Sequence, residues 1–154
     1  MSQILAWSRQ VTAKHALFLF DSCFSGTVFK TKALPKQPPH ISRATALPVR
    51  QFITAGNAGE QVQARSVFTP AFVDALTYGW GDTNNDGYIT GVELGLYLEA
   101  KVPQHAQQSP QFGKHPDYPL SRGDFVFTLS DDITEQAPAT TSPTPAPVQV
   151  QGNV

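Results

Sequence analysis

The sequence predicts an α/β protein, a layered sheet flanked by helices, and three observations point to it. Ala16-Leu17-Phe18-Leu19-Phe20 is an unbroken apolar run between polar residues, the pattern of a strand buried on both faces. Val49 to Ala55 is a second strand-like stretch stopped by Gly56, and Phe125 to Leu129 a third. Between them lie segments with helix-start chemistry and helical spacing, so the order is helix, strand, strand, helix, helix, strand.

Along the chain, Ile4, Leu5, Trp7 and Val11 have the spacing of a short amphipathic helix over 4–13. After the first strand, residues 30–48 contain Pro35, Pro38, Pro39 and Pro48 and read as a long loop. Thr69-Pro70 begins the next helix, because threonine caps and proline tolerates the first helical position. That helix runs from Pro70 to about Tyr78, and another from Val92 to about Lys101, ended by Pro103. From Asp131 the composition turns to Pro, Ala, Thr, Ser and Gln, so 131–154 is expected to be a disordered linker or tail beyond a domain of residues 1–130. Three strands cover their faces poorly, and the chain opens on a helix with no strand before it. It reads as half a domain.

Bulk properties exclude several function classes. With 154 residues, a net charge of -1 and a pI near 6.4, the chain has no basic footprint for nucleic acid or an anionic membrane. No stretch approaches the roughly 18 apolar residues of a membrane helix, and Met1-Ser2-Gln3 does not open a secretory signal. The single cysteine excludes an internal disulfide framework and a multi-thiolate zinc site, in keeping with a reducing cytoplasm.

That cysteine, Cys23, follows the first apolar strand by two residues and precedes Ser25-Gly26. Chemistry in open α/β sheets gathers at the carboxyl ends of strands, where a rigid element holds an accessible side chain. A free thiol has a pKa of about 8.5 and needs a neighbouring base or dipole to act as a nucleophile at neutral pH. Position alone also suits a buried structural cysteine.

The wider context favours the nucleophile. Leu17-Phe18-Leu19-Phe20-Asp21-Ser22-Cys23-Phe24-Ser25-Gly26 resembles the strand and Asp-x-Cys-x-Ser-Gly block of metacaspases and their bacterial caspase-like relatives. The likeness continues in order through Phe52 to Glu60, Val67-Phe68-Thr69, Gln108-Ser109-Pro110-Gln111 and Gly123 to Phe127, from residue 4 to about residue 130. The resemblance implies part of a caspase-like (caspase–haemoglobinase) sheet carrying a Cys-His dyad. Cys23 would attack the scissile carbonyl, and its backbone N–H would help hold the oxyanion. It also implies a cysteine endopeptidase cutting peptide or protein substrates after Arg or Lys, with Asp21 in an acidic S1 pocket that a bidentate guanidinium would fill. A turn or cap residue is the plainer reading of Asp21.

Caspase-type enzymes carry the histidine in a His-Gly pair about 50 residues before the cysteine. Only 22 residues precede Cys23, His15 lies at the entrance of its strand, and none of His40, His105 and His115 is followed by glycine. The expectation is therefore a C-terminal part of the domain, inactive alone, whose general base comes from a separate N-terminal part.

Asp82-Thr83-Asn84-Asn85-Asp86-Gly87-Tyr88-Ile89-Thr90-Gly91-Val92-Glu93 fits the twelve-residue EF-hand loop. Asp82, Asn84 and Asp86 take the first three side-chain positions, Tyr88 offers its carbonyl, Thr90 the often water-bridged position and Glu93 the bidentate carboxylate. All are oxygen donors, as Ca2+ requires. Gly79-Trp80-Gly81 should break the incoming helix, no second loop accompanies this one, and Asp, Asn and Gly are also ordinary turn formers. The competing function is a non-catalytic calcium-binding or interaction protein on a decayed protease fold. The chain carries two lesser motifs. Lys30, Lys32, Lys36 and Arg43 stud a loop where caspase relatives process themselves, and Arg122-Gly123-Asp124 spells an adhesion tripeptide directly before a strand.

Overall fold

Strand β2 (Val49–Gly56) lies at the centre of the principal sheet, between a parallel neighbour, β1 (His15–Cys23), and an antiparallel one, β4 (Gln111–Lys114). The structure is a computed structural model describing residues 2–23, 41–57, 59–60 and 65–129, with the side chains of residues 2, 22 and 23 outside the description. The polar segment 131–154 also lies outside the described residues. A second, two-stranded sheet pairs β3 (Tyr88–Thr90) antiparallel with β5 (Val126–Thr128). Among the described residues four α-helices accompany these strands: α1 (Ser2–Gln10), the short α2 (Ile41–Ala44), α3 (Phe68–Thr77) and α4 (Gly91–Lys101). The architecture is mixed α/β. Among the described residues no helix is long and apolar enough to cross a membrane.

The strand buried along its whole length is β2, not β1. Described β1 residues from His15 to Phe20 are only half-buried, because among the described residues β1 is an outer strand of this sheet with a neighbour on one side. The apolar run therefore predicted a strand correctly and its position in the sheet incorrectly. Phe125 to Leu129 likewise forms a strand, but it joins β3 in the small sheet and not the principal one. The stretch read as loop carries α2, and β4 was not foreseen, since Gln111-Phe112-Gly113-Lys114 has a single large apolar residue.

Residues alternating along β2 face two layers, as a strand's period of two dictates. Ile53 and Ala55 join Phe68, Ala71, Ala75, Leu94, Leu98 and Val102 in the core beneath α3 and α4. Phe68, Ala71 and Ala75 recur on one face of α3 at helical spacing, which is why that helix docks there. Gly95 admits close packing of α4, because a Cβ there would overlap the Phe112 ring. On the other face Phe52 stacks on Phe18 with centroids 5.0 Å apart.

Arg50 shares that face and ties it to the turn after α1. The residue is 3% exposed, and its guanidinium donates to the carbonyls of Ser8 (2.8 Å), Val11 (2.6 Å), Lys14 (3.1 Å) and Val49 (2.9 Å). Carbonyls near a helix C-terminus lack intrahelical donors, and here one cation supplies them.

A polar knot joins the two sheets. Gln51 Nε2 donates to Asp124 Oδ1 at 2.7 Å, the Phe125 N–H donates to Gln51 Oε1 at 2.5 Å, and Lys114 Nζ stands 3.7 Å from Asp124 Oδ2. Burial pushes the Asp124 carboxyl above its usual range, with Lys114 and the Gln51 amide pulling the other way. A folded state that holds the proton more tightly than the unfolded chain contributes stability fully below the ordinary carboxylate pKa, and loses it as pH rises through the raised value. Asp124→Asn is therefore expected to flatten the decline in stability above about pH 4. Urea midpoints for both proteins between pH 4 and 7 check this; parallel curves would refute it. The same burial leaves Asp124, 5% exposed, closed to an adhesion receptor.

Candidate functional site

Asp21 and Cys23 lie at the carboxyl end of β1, where the strand departs from regular pairing. Phe20 is opposite Thr54 and Cys23 opposite Gly56, so β1 spends one more residue than β2 over the interval. This is a bulge, a device that re-aims side chains and is common beside active sites. Cys23 is thus the last residue of the strand and not a loop residue beyond it. Its side chain, residues 24–40 and the basic positions Lys30, Lys32 and Lys36 lie outside the described residues, while Arg43 is exposed on α2.

Asp21 is exposed and turns toward the start of α3. The hydroxyls of Ser66 (2.5 Å) and Thr69 (2.6 Å) both donate to its Oδ2. The Thr69 N–H in turn donates to Ser66 Oγ at 3.0 Å, which leaves the Ser66 hydroxyl proton for Asp21. The helix begins at Phe68, so Thr69 lies inside its first turn and is not the cap; Ser66 satisfies the free N–H of that turn. Pro70 is tolerated there because its missing N–H would have had no intrahelical partner. Neither Ser66 nor Thr69 was legible as a partner of Asp21: 45 and 48 residues separate them from it, and short hydroxyl side chains announce nothing about distant contacts.

Next to Gly56, across from Cys23, the Glu60 carboxylate accepts from the backbone N–H groups of Asn57 (2.9 Å) and Ser109 (2.7 Å). These donors hold its pKa below the usual carboxylate range. Gln108 packs beside Gly56 as well, and its buried Nε2 has no partner among the described residues.

The described histidines divide between the two ends of the sheet. His15 pairs with Val49 and its Nε2 lies 3.0 Å from the Leu47 carbonyl, eight residues and roughly 26 Å of strand from Cys23. The backbone N–H of His115 donates to the Arg50 carbonyl, about 20 Å of strand from Gly56, and burial pushes the His115 imidazole pKa down. Helix α4 runs alongside β2 in the same direction, with Gly91 against Gln51 and Gly95 against Phe112, the partner of Ile53. His105, exposed just beyond α4, is therefore the described histidine nearest the Cys23 end. His40 lies outside the described residues.

The segment 82–93 turns sharply between α3 and β3. Asn85 and Gly87 take positive φ angles of 58° and 83°, and Gly79 (69°) ends the incoming helical segment, as Gly79-Trp80-Gly81 led one to expect. Asp82 accepts from the N–H groups of Asp86 (3.2 Å) and Gly87 (2.8 Å), Asn84 from Asp86 (2.9 Å), and Asp86 from Tyr88 (3.0 Å). Thr90 caps α4 and forms a capping box with Glu93, whose Oε2 accepts from the Thr90 N–H and hydroxyl. Thr83 donates to the other Glu93 oxygen at 3.2 Å. Tyr88 and Thr90 belong to β3, so β5 occupies the place where a second loop would pair. The donors suit a hard cation in kind, and Glu93 already reaches back to the loop. However, among the described residues no group of three or more His, Cys, Asp or Glu side chains is gathered closely enough to hold a metal ion.

No family model matches this chain, and neither a curated protein nor a solved structure matches it.

Proposed function

We propose that this chain carries the nucleophile part of a cysteine endopeptidase of the caspase-like, metacaspase type, which cleaves peptide bonds after Arg or Lys. The observation that carries the reading is the joint placement of Asp21 and Cys23 on the bulged carboxyl end of one strand. The Asp21 carboxylate is oriented there by two hydroxyls and open to solvent. In this mechanism Cys23 Sγ adds to the scissile carbonyl, its proton passes to a base, and Asp21 neutralises the basic side chain on the acyl side of the cut. His15 and His115 stand too far away to accept that proton, and the base of this mechanism is the histidine of a His-Gly pair that the resemblance puts on a preceding segment.

The isolated chain is accordingly expected to turn over an arginyl peptide reporter negligibly. Joining a preceding segment that ends in His-Gly should raise the rate by about 10²- to 10⁴-fold, the usual contribution of a positioned base, and Cys23→Ala should abolish the gain. Robust turnover by residues 1–154 alone, lost in Cys23→Ala, would refute the external base, and a further loss in His105→Ala would name the internal one.

A second reading, calcium binding without catalysis, is favoured by the conformation of 82–93 and its all-oxygen donor set. Titration calorimetry should then detect one Ca2+ per chain with a dissociation constant between about 10⁻⁵ and 10⁻³ M. Asp82→Ala should eliminate the heat. No uptake at millimolar calcium would dispose of the idea.

A further inference from the structure

We infer that Ser66 and Thr69 make Asp21 a one-oxygen receptor, so that lysine and arginine are accepted about equally before the scissile bond. The inference rests on the peptidase reading above and specifies how its S1 carboxylate works.

A carboxylate oxygen offers two in-plane lone pairs. On Asp21 Oδ2 both are taken, one by the Ser66 hydroxyl and one by the Thr69 hydroxyl. Oδ1 has no partner among the described residues, and Asp21 is exposed. Arginine owes its advantage over lysine at acidic pockets to a planar fork that engages both carboxylate oxygens through parallel N–H···O bonds. That fork needs Oδ2 free. With Oδ2 filled, a guanidinium and an ammonium each reach Oδ1 through a single charge-assisted hydrogen bond, and the fork's geometric gain is lost. The sequence alone suggested bidentate capture; the hydroxyl pair alters that expectation.

The arrangement is built to persist. Ser66 Oγ accepts the Thr69 N–H, which directs its own proton toward Asp21, and Thr69 is fixed in the first turn of α3. Ser66 and Thr69 are thus positioning residues that set specificity without touching the reacting atoms.

The test uses the 154-residue chain at about pH 9, where most of an ordinary thiol is thiolate and no base is required. Peptidyl acyloxymethyl ketones identical except for Arg, Lys, citrulline or norleucine before the electrophile are compared by their rates of Cys23 alkylation, read by mass spectrometry. The expected result is Arg and Lys rates within about fivefold of each other, both at least about tenfold above their uncharged counterparts. Ser66→Ala combined with Thr69→Val frees Oδ2, and the Arg-to-Lys ratio should then rise by about tenfold, the worth of one further charge-assisted hydrogen bond. Thr69→Ser, which keeps the hydroxyl, should leave the ratio unchanged. A wild-type Arg preference beyond about fivefold overturns the one-oxygen inference while leaving the basic S1 site standing. Equal rates for Arg and citrulline instead overturn the S1 assignment of Asp21 itself. Should the double variant fail to fold, the wild-type ratio and Thr69→Ser still decide.

Discussion

Arg50→Met is expected to cost about 3–5 kcal/mol of folding stability, enough to abolish the cooperative transition of a marginal domain. Methionine keeps much of the aliphatic stem but removes every donor. The carbonyls of Ser8, Val11, Lys14 and Val49 would then lose the group that satisfies them inside a site only 3% exposed. Each stranded buried acceptor costs on the order of 1–3 kcal/mol, and water entering the site recovers part of that. Arg50→Lys should rescue little, because one ammonium cannot span four carbonyls that three guanidinium nitrogens now reach from different sides. Urea denaturation followed by circular dichroism provides the measurement. A methionine variant with an unchanged midpoint would show that α1 and the turn after it contribute nothing to the cooperative unit.

Gly123→Ala should be nearly as damaging, for a steric reason. The backbone at 123–124 lies against α2 and the turn after it, with the Gly123 N–H donating to Pro48 O (3.0 Å) and the Asp124 N–H to Ala44 O (2.8 Å). A Cβ at position 123 would overlap the Leu47 carbonyl oxygen and come within 2.9 Å of the Ala44 oxygen. Backbone cannot swing aside as a side-chain tip can, so a cost of about 3 kcal/mol or more is expected. The Leu47 carbonyl also faces His15 Nε2, and its displacement would loosen the entrance of β1 as well. Gly59→Ala is the informative control. Among the described residues it meets nothing within 4 Å, but it sits at a φ of 88°, so the left-handed backbone carries the penalty, about 1–2 kcal/mol. Thermal melts that rank Gly59→Ala as the worse of the two would contradict the packing at Gly123.

Both predictions concern residues that sequence patterns did not single out. Arg50 looked like an ordinary charged residue in a strand, and its role depends on a turn some 40 residues earlier in the chain. Gly123 stands out in the sequence as part of a tripeptide and of the Gly123 to Phe127 block, and neither says what its backbone lies against. Patterns of apolar spacing locate helices and strands, because burial of one face is a local, periodic demand. They do not say which strand is central, as β1 and β2 demonstrate: the more apolar strand is at the edge, and the one containing Arg50, Gln51 and Thr54 is buried throughout. A buried polar strand is tolerable only when each polar group finds a partner, and partners are a tertiary matter.

The candidate site follows the same division. The residues of one short stretch, Asp21 and Cys23, and the oxygen donors of 82–93 could be picked out from sequence, since each set is contiguous and its chemistry requires particular residue types at fixed spacing. The distances from His15 and His115 to the Cys23 end, and the place of His105 beyond α4, follow from strand register and helix direction. The bulge that turns Asp21 outward, and the Ser66 and Thr69 hydroxyls that fill one of its oxygens, came only from the tertiary structure. The physical reason is that a carboxylate's chemical type is fixed by its own residue. The lone pairs it has left for a ligand are fixed by whatever the fold brings beside it.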